Sequence, residues 1–127
     1  MDQNMNSIVL KAGDQHMKGL FMADADMFGE LMLTHLQRNI SADVLKVAHH
    51  GSEKSCLDVF MEQVQPHTAV ICCGYNNRYG DPSPEPLLRL KKSGVRTFRT
   101  DTQGEIMISS FQGRIDVKSG RDHADTQ

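Results

Sequence analysis

The sequence predicts an α/β fold in which one mixed sheet, with parallel and antiparallel strands, is covered by helices. Apolar runs of strand length alternate along the chain with segments whose apolar residues recur at helical spacing. A length of 127 residues suits one hydrophobic core, and 39% hydrophobic with 24% charged residues is typical of a globular domain. We therefore expect one domain over residues 1–117 and a flexible polar tail over residues 118–127.

The first half of the chain predicts a hairpin, a helix and a further strand. Ser7 to Lys11 and Leu20 to Met22 have strand character and are separated by a turn, so we expect them to pair. Met27 to Leu36 carries apolar residues at helical spacing, and Asp26 stands where a helix N-cap is expected. Val44 to Val47 is the next apolar run, which predicts a buried strand.

The second half continues the alternation. A helix is predicted from Ser55 or Cys56 to Val64, a strand from Thr68 to Cys73, and a loop rich in glycine and proline from Gly74 to Pro84. Glu85 to Ser93 follows as a helix that Gly94 ends. Three short strands complete the prediction: Arg96 to Arg99, Glu105 to Ser110, and Arg114 to Val117.

Charge, hydropathy and cysteine content exclude several classes of protein. The formal net charge of −2 gives no overall positive field that would attract nucleic acid. The sequence has neither an apolar run of bilayer length nor a signal-peptide pattern, which predicts a cytoplasmic protein or a soluble domain of a larger membrane protein. Three cysteines, with Cys72 and Cys73 adjacent in an apolar strand, indicate packed, reduced thiols.

Polar residues follow three of the predicted strands and form the candidate site. Asp24 comes after the first of these strands, His49 and His50 after the second, and Asp81 lies in the loop after the third. If the strands are parallel neighbours, these side chains meet at one edge of the sheet. A carboxylate with an imidazole suits zinc or manganese. The alternative is structural: Asp24 or Asp26 simply caps the following helix. For the histidine pair we favour function.

Several stretches occur in an order that resembles a known family, namely NSIVLKAG, FMADAD, ADVLKVAHHGS, CGYNNRYGDPSPEPLLRL and VRTFRTDTQGEIMIS. Together they resemble the C-terminal half of the metallo-β-lactamase-fold domain of ComEC-type competence proteins and their stand-alone relatives, from about Asn6 to Val117. The resemblance implies half of an αββα sandwich. It also implies a site with one or two metal ions that activates water for hydrolysis, with DNA or a nucleotide as the expected substrate.

The resemblance implies roles for individual residues. Asp24 matches the aspartate that bridges the metal ions, and His49 or His50 matches the last metal-binding histidine. Because adjacent strand residues point to opposite faces, we expect only one of the two histidines to be a ligand. The other histidine or Asp81, which stands where relatives commonly have histidine, could assist proton transfer. Ala23 replaces the usual glycine, a change that we interpret as mild because alanine is nearly as small.

The remaining ligands of that family are not in this sequence. Its HxHxDH motif, and a further histidine, belong to the N-terminal half of the fold. Without that half, one apolar face of the sheet also lacks a cover. Three hypotheses follow. The chain is half of a metal-dependent hydrolase whose partner is the N-terminal half; it pairs with a homodimer mate; or it is a non-catalytic remnant or self-associating interaction module.

Overall fold

The computed structural model describes residues 6–36 and 38–121. Within these residues, five strands form one mixed sheet in chain order: β1 (Leu10–Gly13), β2 (Lys18–Phe21), β3 (Val44–Lys46), β4 (Thr68–Ile71) and β5 (Arg96–Arg99). β1 is antiparallel to β2, as the predicted hairpin requires, and β2 through β5 run parallel. The predicted α/β class with a mixed sheet is therefore confirmed.

The parallel strands are buried because their apolar residues stack in register. Leu20, Leu45 and Ala69 are paired neighbours across β2, β3 and β4, and each is at most 2% exposed. Strands covered by helices read as nearly continuous apolar runs, and it is these runs that indicated the strands in the sequence.

The described part of the chain has four α-helices between or after these strands: α1 (Met27–His35), α2 (Asp58–Val64), α3 (Pro84–Lys92) and the short α4 (Thr100–Gln103). Phe60 and Val64 of α2 and Leu90 of α3 pack with Leu45 and Ile71 of the sheet in one apolar core. Burial of such side chains is worth about 1.5–3 kcal/mol each, so we expect this helix-covered side to contribute most of the stability of the domain.

Helix α1 begins where predicted but buries a different side chain. Asp26 caps it, because its carboxylate accepts a hydrogen bond from Gly29 N at 3.0 Å. Phe28 and Met32, expected to pack on the sheet, are both 57% exposed, whereas the helix buries Glu30. A carboxylate tolerates burial only when donors satisfy it, so α1 is oriented by a polar contact.

The opposite face of the five-stranded sheet is covered less completely. A separate two-stranded sheet, β6 (Ile106–Phe111) paired with β7 (Arg114–Ser119), places Ile106 and Ile108 beside it. Between them lies a mainly apolar cleft of about 460 Å³ that Phe21, Val44 and Val70 also line. Phe21 remains 46% exposed, so the pair of strands β6 and β7 covers this face only in part.

Several element boundaries differ from the prediction. β1 begins at Leu10 instead of Ser7, and β4 ends at Ile71, so Cys72 and Cys73 lie beyond the strand and do not alternate across it. α4 was not predicted, and β7 extends two residues past Val117. Most of the predicted tail, residues 122–127, lies outside the described residues.

A search for membrane-spanning segments covered the described residues. None of their helices has both the length and the apolar character needed to cross a membrane.

Candidate functional site

Asp24 and His50 meet at the carboxyl edge of the parallel strands. Leu20 of β2 pairs with Leu45 of β3, so the segments that follow the two strands leave the sheet side by side. Asp24 Oδ1 lies 3.3 Å from His50 Nε2, and the two side chains are 47% and 49% exposed. The structure therefore brings together one carboxylate and one imidazole that the sequence predicted to converge.

The two histidines lie on a turn instead of on the strand. Ala48–Gly51 forms a short 3₁₀ turn, which we call the histidine turn, and His49 and His50 have left-handed φ angles of 49° and 56°. The prediction that they project from opposite faces of a strand is wrong, because β3 ends at Lys46. His50 faces Asp24, whereas the His49 side chain lines a different depression beside Asp26 and Phe28.

The hydrogen bonds of His50 fix which ring nitrogen faces Asp24. Nδ1 lies 2.8 Å from the carbonyl oxygen of Cys72, a shorter contact than the 3.3 Å from Nε2 to Asp24 Oδ1, so we assign the single proton of the neutral ring to Nδ1. In the neutral ring, Nε2 then carries a lone pair directed at Asp24 Oδ1. Two acceptors at 3.3 Å repel each other unless a proton or a cation lies between them. The geometry thus favours either an ion pair or a shared cation.

The donor chemistry fits a transition metal, but the number of donors does not complete a site. Aspartate oxygen and neutral imidazole nitrogen are ligands of zinc and manganese, and structural or catalytic zinc takes three or four protein ligands. Within residues 6–36 and 38–121, no three histidine, cysteine, aspartate or glutamate side chains are grouped so that they could hold one ion. Asp24 and His50 are therefore two donors of an incomplete set.

Asp81 lies beside this pair, in the loop between β4 and α3. It lines a pocket of about 200 Å³ together with His50, Cys73 and Tyr79. The Asn77 side chain organises the loop, since its amide donates to the carbonyl oxygens of Gly74 and Asp81 and its oxygen accepts from the backbone of Tyr79 and Asp81. Asp81 thus lines the pocket beside His50, on a loop that Asn77 holds in place.

The pocket loop is also joined to the histidine turn. Ser83 N donates to Gly51 O at 2.8 Å. Gly51 has a φ of 78°, and a Cβ there would come within 2.8 Å of Pro82 Cβ. Only glycine accommodates both the left-handed backbone and this close approach. The glycine after the two histidines therefore lets Asp81 and His50 share one pocket.

Glu30 is the residue near the site that the sequence reasoning missed. Its side chain is only 1% exposed, and its two carboxylate oxygens accept from Cys56 N at 2.8 Å and Leu57 N at 2.9 Å. Burial raises the pKa of Glu30 to about 7, against the lowering effect of the two amides and of nearby Arg89. An acidic residue among the apolar positions of Met27 to Leu36 was the available signal.

Two of the three cysteines, Cys56 and Cys73, have raised thiol pKa values. Burial raises the pKa of the Cys56 thiol, and burial with the nearby Asp101 carboxylate raises that of Cys73 to about 11. Cys73 is held by Thr100, whose hydroxyl accepts from Cys73 N and donates to Cys73 O. All three cysteines are free thiols, as the sequence predicted.

The chain is similar to one segment of several competence-related proteins, although no protein-family model matches it. It is 40% identical to ComE operon protein 3 of Bacillus subtilis over 113 residues, which is 89% of this chain. It is 34% identical to competence protein ComA of Neisseria gonorrhoeae over 91% of its length, and 29% identical to recombination protein 2 of Haemophilus influenzae over 93%. The matches span only 14–17% of those proteins. The chain is therefore similar to one segment of each of these longer proteins.

Proposed function

Since its homologues are competence proteins, we propose that this chain is a domain of a ComEC-type competence protein and acts on DNA during uptake. We further propose that its mixed sheet is the C-terminal half of an αββα metallo-β-lactamase sandwich. The support is the order of the elements: a hairpin, then parallel strands separated by helices, with polar residues after β2, β3 and β4.

The proposed activity is metal-dependent hydrolysis of phosphodiester bonds, and one observation carries it. His50 Nδ1 is committed to Cys72 O, so the lone pair of Nε2 and Asp24 Oδ1 face each other at 3.3 Å. A zinc or manganese ion held there would supply an activated water. Asp24 and His50 are its proposed ligands, and Asp81, which lines the adjoining pocket, is the proposed group for proton exchange with a substrate.

A DNA or nucleotide substrate is supported by the loop that borders the pocket. Tyr75 and Tyr79 are exposed there, and Arg78 lies over the Tyr79 ring, with its guanidinium carbon 5.0 Å from the ring centroid. Exposed aromatic rings stack on bases, and arginine pairs with phosphate. The basic and aromatic groups are thus local to the site, which is consistent with a chain whose net charge is −2.

The proposed partner is the N-terminal half of the same sandwich, which would supply both the missing ligands and the missing cover. The apolar cleft lined by Phe21, Val44 and Val70 runs along the face that this half would cover. The homologues are six to seven times longer than the matched segment, so they have ample chain for such a half.

Zinc titration of the chain, followed by ¹⁵N NMR of the imidazole nitrogens, tests the ligand assignment. We expect the Nε2 signal of His50 to shift while its Nδ1 stays protonated, and Asp24→Asn to weaken the response at least about tenfold. His67→Gln is the matched control, because His67 is exposed just before β4, at the amino edge of the sheet. A zinc response that survives Asp24→Asn would contradict the assignment.

Activity is tested on a longer polypeptide that joins this chain to the N-terminal half. With zinc or manganese, it should cleave DNA, and Asp24→Asn and His50→Ala should each abolish cleavage. The isolated chain should not cleave DNA. Light scattering of the isolated chain tests the homodimer alternative, because a stable dimer would favour it and a monomer would contradict it.

The second candidate function is a non-catalytic interaction module. The observation that favours it is the small number of metal donors. Asp24 and His50 are two donors, whereas a metal site needs three or four. Intact DNA and no bound metal in the longer polypeptide would support this candidate over the hydrolase.

A further inference from the structure

Two backbone segments carry the site, and each leads into a structure that Glu30 touches. The segment with Asp24 continues into α1, which contains Glu30. The segment with His50 continues into residues 52–57, whose last two amides donate to the Glu30 carboxylate at 2.8 and 2.9 Å. Glu30 thus connects the segment after Asp24 to the segment after His50, 26 residues further along the chain.

The amides of Cys56 and Leu57 depend on this contact because they stand at the start of α2, whose own carbonyls cannot accept from them. No side-chain hydrogen bond caps the start of α2, so the amides of Cys56 and Leu57 would be buried without acceptors if Glu30 were absent. Both oxygens of Glu30 are used, which explains how a carboxylate that is 1% exposed persists in an apolar core.

A second set of contacts carries the constraint from residues 52–57 to the histidine turn. The hydroxyl of Ser55 donates to Ala48 O at 2.8 Å, and Ala48 is the first residue of that turn. Arg89 holds the same segment from α3, because its Nη1 donates to Glu53 O and Ser55 O, both at 2.8 Å. The contacts form a continuous path from Glu30 to Ala48.

The histidine turn depends on such contacts for its shape. His49 and His50 both have left-handed φ angles, which are unfavourable for residues with a Cβ and persist only where neighbours impose them. One restraint is His49 N donating to Ala23 O at 2.9 Å, and another is the Ser55 contact on Ala48. Loss of either restraint should let the turn relax and move the His50 ring.

We propose that Glu30 is a positioning residue that, through Ser55 and Ala48, holds the His50 ring with Nδ1 on Cys72 O and Nε2 toward Asp24. The proposal deepens the proposed function, on which it rests for the task that His50 performs. The position and tautomer of the His50 ring can nevertheless be measured without metal, substrate or activity.

The experiment compares the ¹⁵N imidazole signals of the wild-type chain with those of Glu30→Gln, at a pH where His50 is neutral. In the wild type, we expect one tautomer with the proton on Nδ1. Glutamine keeps the shape but can offer only its oxygen as an acceptor, so one of the two amides loses its partner. We expect the two nitrogen shifts of His50 to converge and the amides of Cys56 and Leu57 to exchange at least about tenfold faster.

Two further variants keep the test decisive if Glu30→Gln folds poorly. Ser55→Ala removes the contact on Ala48 O but leaves Glu30 in place, and it should also mix the His50 tautomers. Val64→Ala weakens the core of α2 without touching the polar path and should leave the single tautomer intact. If Val64→Ala mixes the tautomers as much as Glu30→Gln does, the effect is general loosening and the proposal fails.

The outcomes separate this proposal from the proposed function. An unchanged His50 tautomer in Glu30→Gln and Ser55→Ala overturns the positioning role, whatever metal does to the wild type. A wild-type chain that holds the tautomer, but whose His50 does not respond to zinc even in the longer polypeptide with the N-terminal half, overturns the ligand assignment and leaves the positioning role standing.

Discussion

The helix-covered side of the sheet and the edge that carries Asp24 and His50 follow opposite physical rules. On the helix-covered side, Leu45 and Phe60 are fully buried and the packing is apolar. At the edge, the Asp24 and His50 side chains are about half exposed, and Ala23, like His50, has a left-handed backbone. Strain of this kind clusters at functional sites. The difference indicates that the helix-covered side stabilises the fold, whereas the strained backbone at the Asp24 and His50 edge reduces its stability.

The largest expected effect tests whether stability does reside beneath the helices. Leu45→Ala removes a fully buried side chain and should lower the free energy of unfolding by about 3–4 kcal/mol, measured by urea denaturation. Phe21→Ala is the matched comparison on the adjacent strand and the opposite face, where the ring is 46% exposed. We expect it to cost only about 1 kcal/mol. Equal losses would erase the contrast between the two faces.

Glu30 is placed where the two regions meet, and its pKa predicts a pH dependence. Its folded-state pKa of about 7 is above the usual 4.5, so the folded state holds one extra proton between those values. The stability contribution of Glu30 is therefore complete below about pH 4.5 and is lost as the pH rises through 7. The expected loss is about 2–3 kcal/mol between pH 4.5 and pH 8, measured by urea denaturation.

Glu30→Gln isolates this contribution from that of the other ionisable groups in the chain. The variant should have a flatter dependence of stability on pH than the wild type, because glutamine does not ionise. If both proteins lose stability in parallel as the pH rises, the pKa of Glu30 is not raised in the folded state. Glu30 would then resemble the charged residues at the edge of the sheet and not the buried residues of the core.

The sequence was sufficient for the part of the fold that local pattern determines. Apolar runs located β2, β3 and β4, and polar residues after them located the edge where Asp24 and His50 meet. The cap of α1 by Asp26 was also readable, because an N-cap depends on residues within one turn. These features follow from side-chain periods and from the rule that parallel strands end at a common edge.

The features that the sequence left out depend on contacts between distant residues. The left-handed histidine turn is held by Ala23 O and by Ser55, neither of which any local pattern of His49 and His50 specifies. Glu30 lies among apolar residues that predict a packing face, but its partners Cys56 and Leu57 are 26 and 27 residues away. Tertiary hydrogen bonds overrode helical periodicity there, and so Phe28 and Met32 face outward.

The smallest expected effect concerns Ala23, which stands where relatives of the resembled family usually have glycine. The structure changes our interpretation of this replacement as mild. Its φ of 50° lies in the left-handed region, so the relevant property is backbone conformation and not side-chain size. Ala23→Gly should raise the free energy of unfolding by about 1 kcal/mol, because relief of the strained backbone outweighs the greater entropy of the unfolded glycine. Urea denaturation measures the gain.

Ala12→Gly is the control for Ala23→Gly. Ala12 lies in β1 without a positive φ, so glycine there adds only unfolded-state entropy and should cost about 0.5–1 kcal/mol. Opposite signs for the two substitutions would show that the edge holds backbone strain that the rest of the sheet does not. If Ala23→Gly also destabilises, the left-handed turn is not costly at that position, and the edge differs from the helix-covered side in exposure alone.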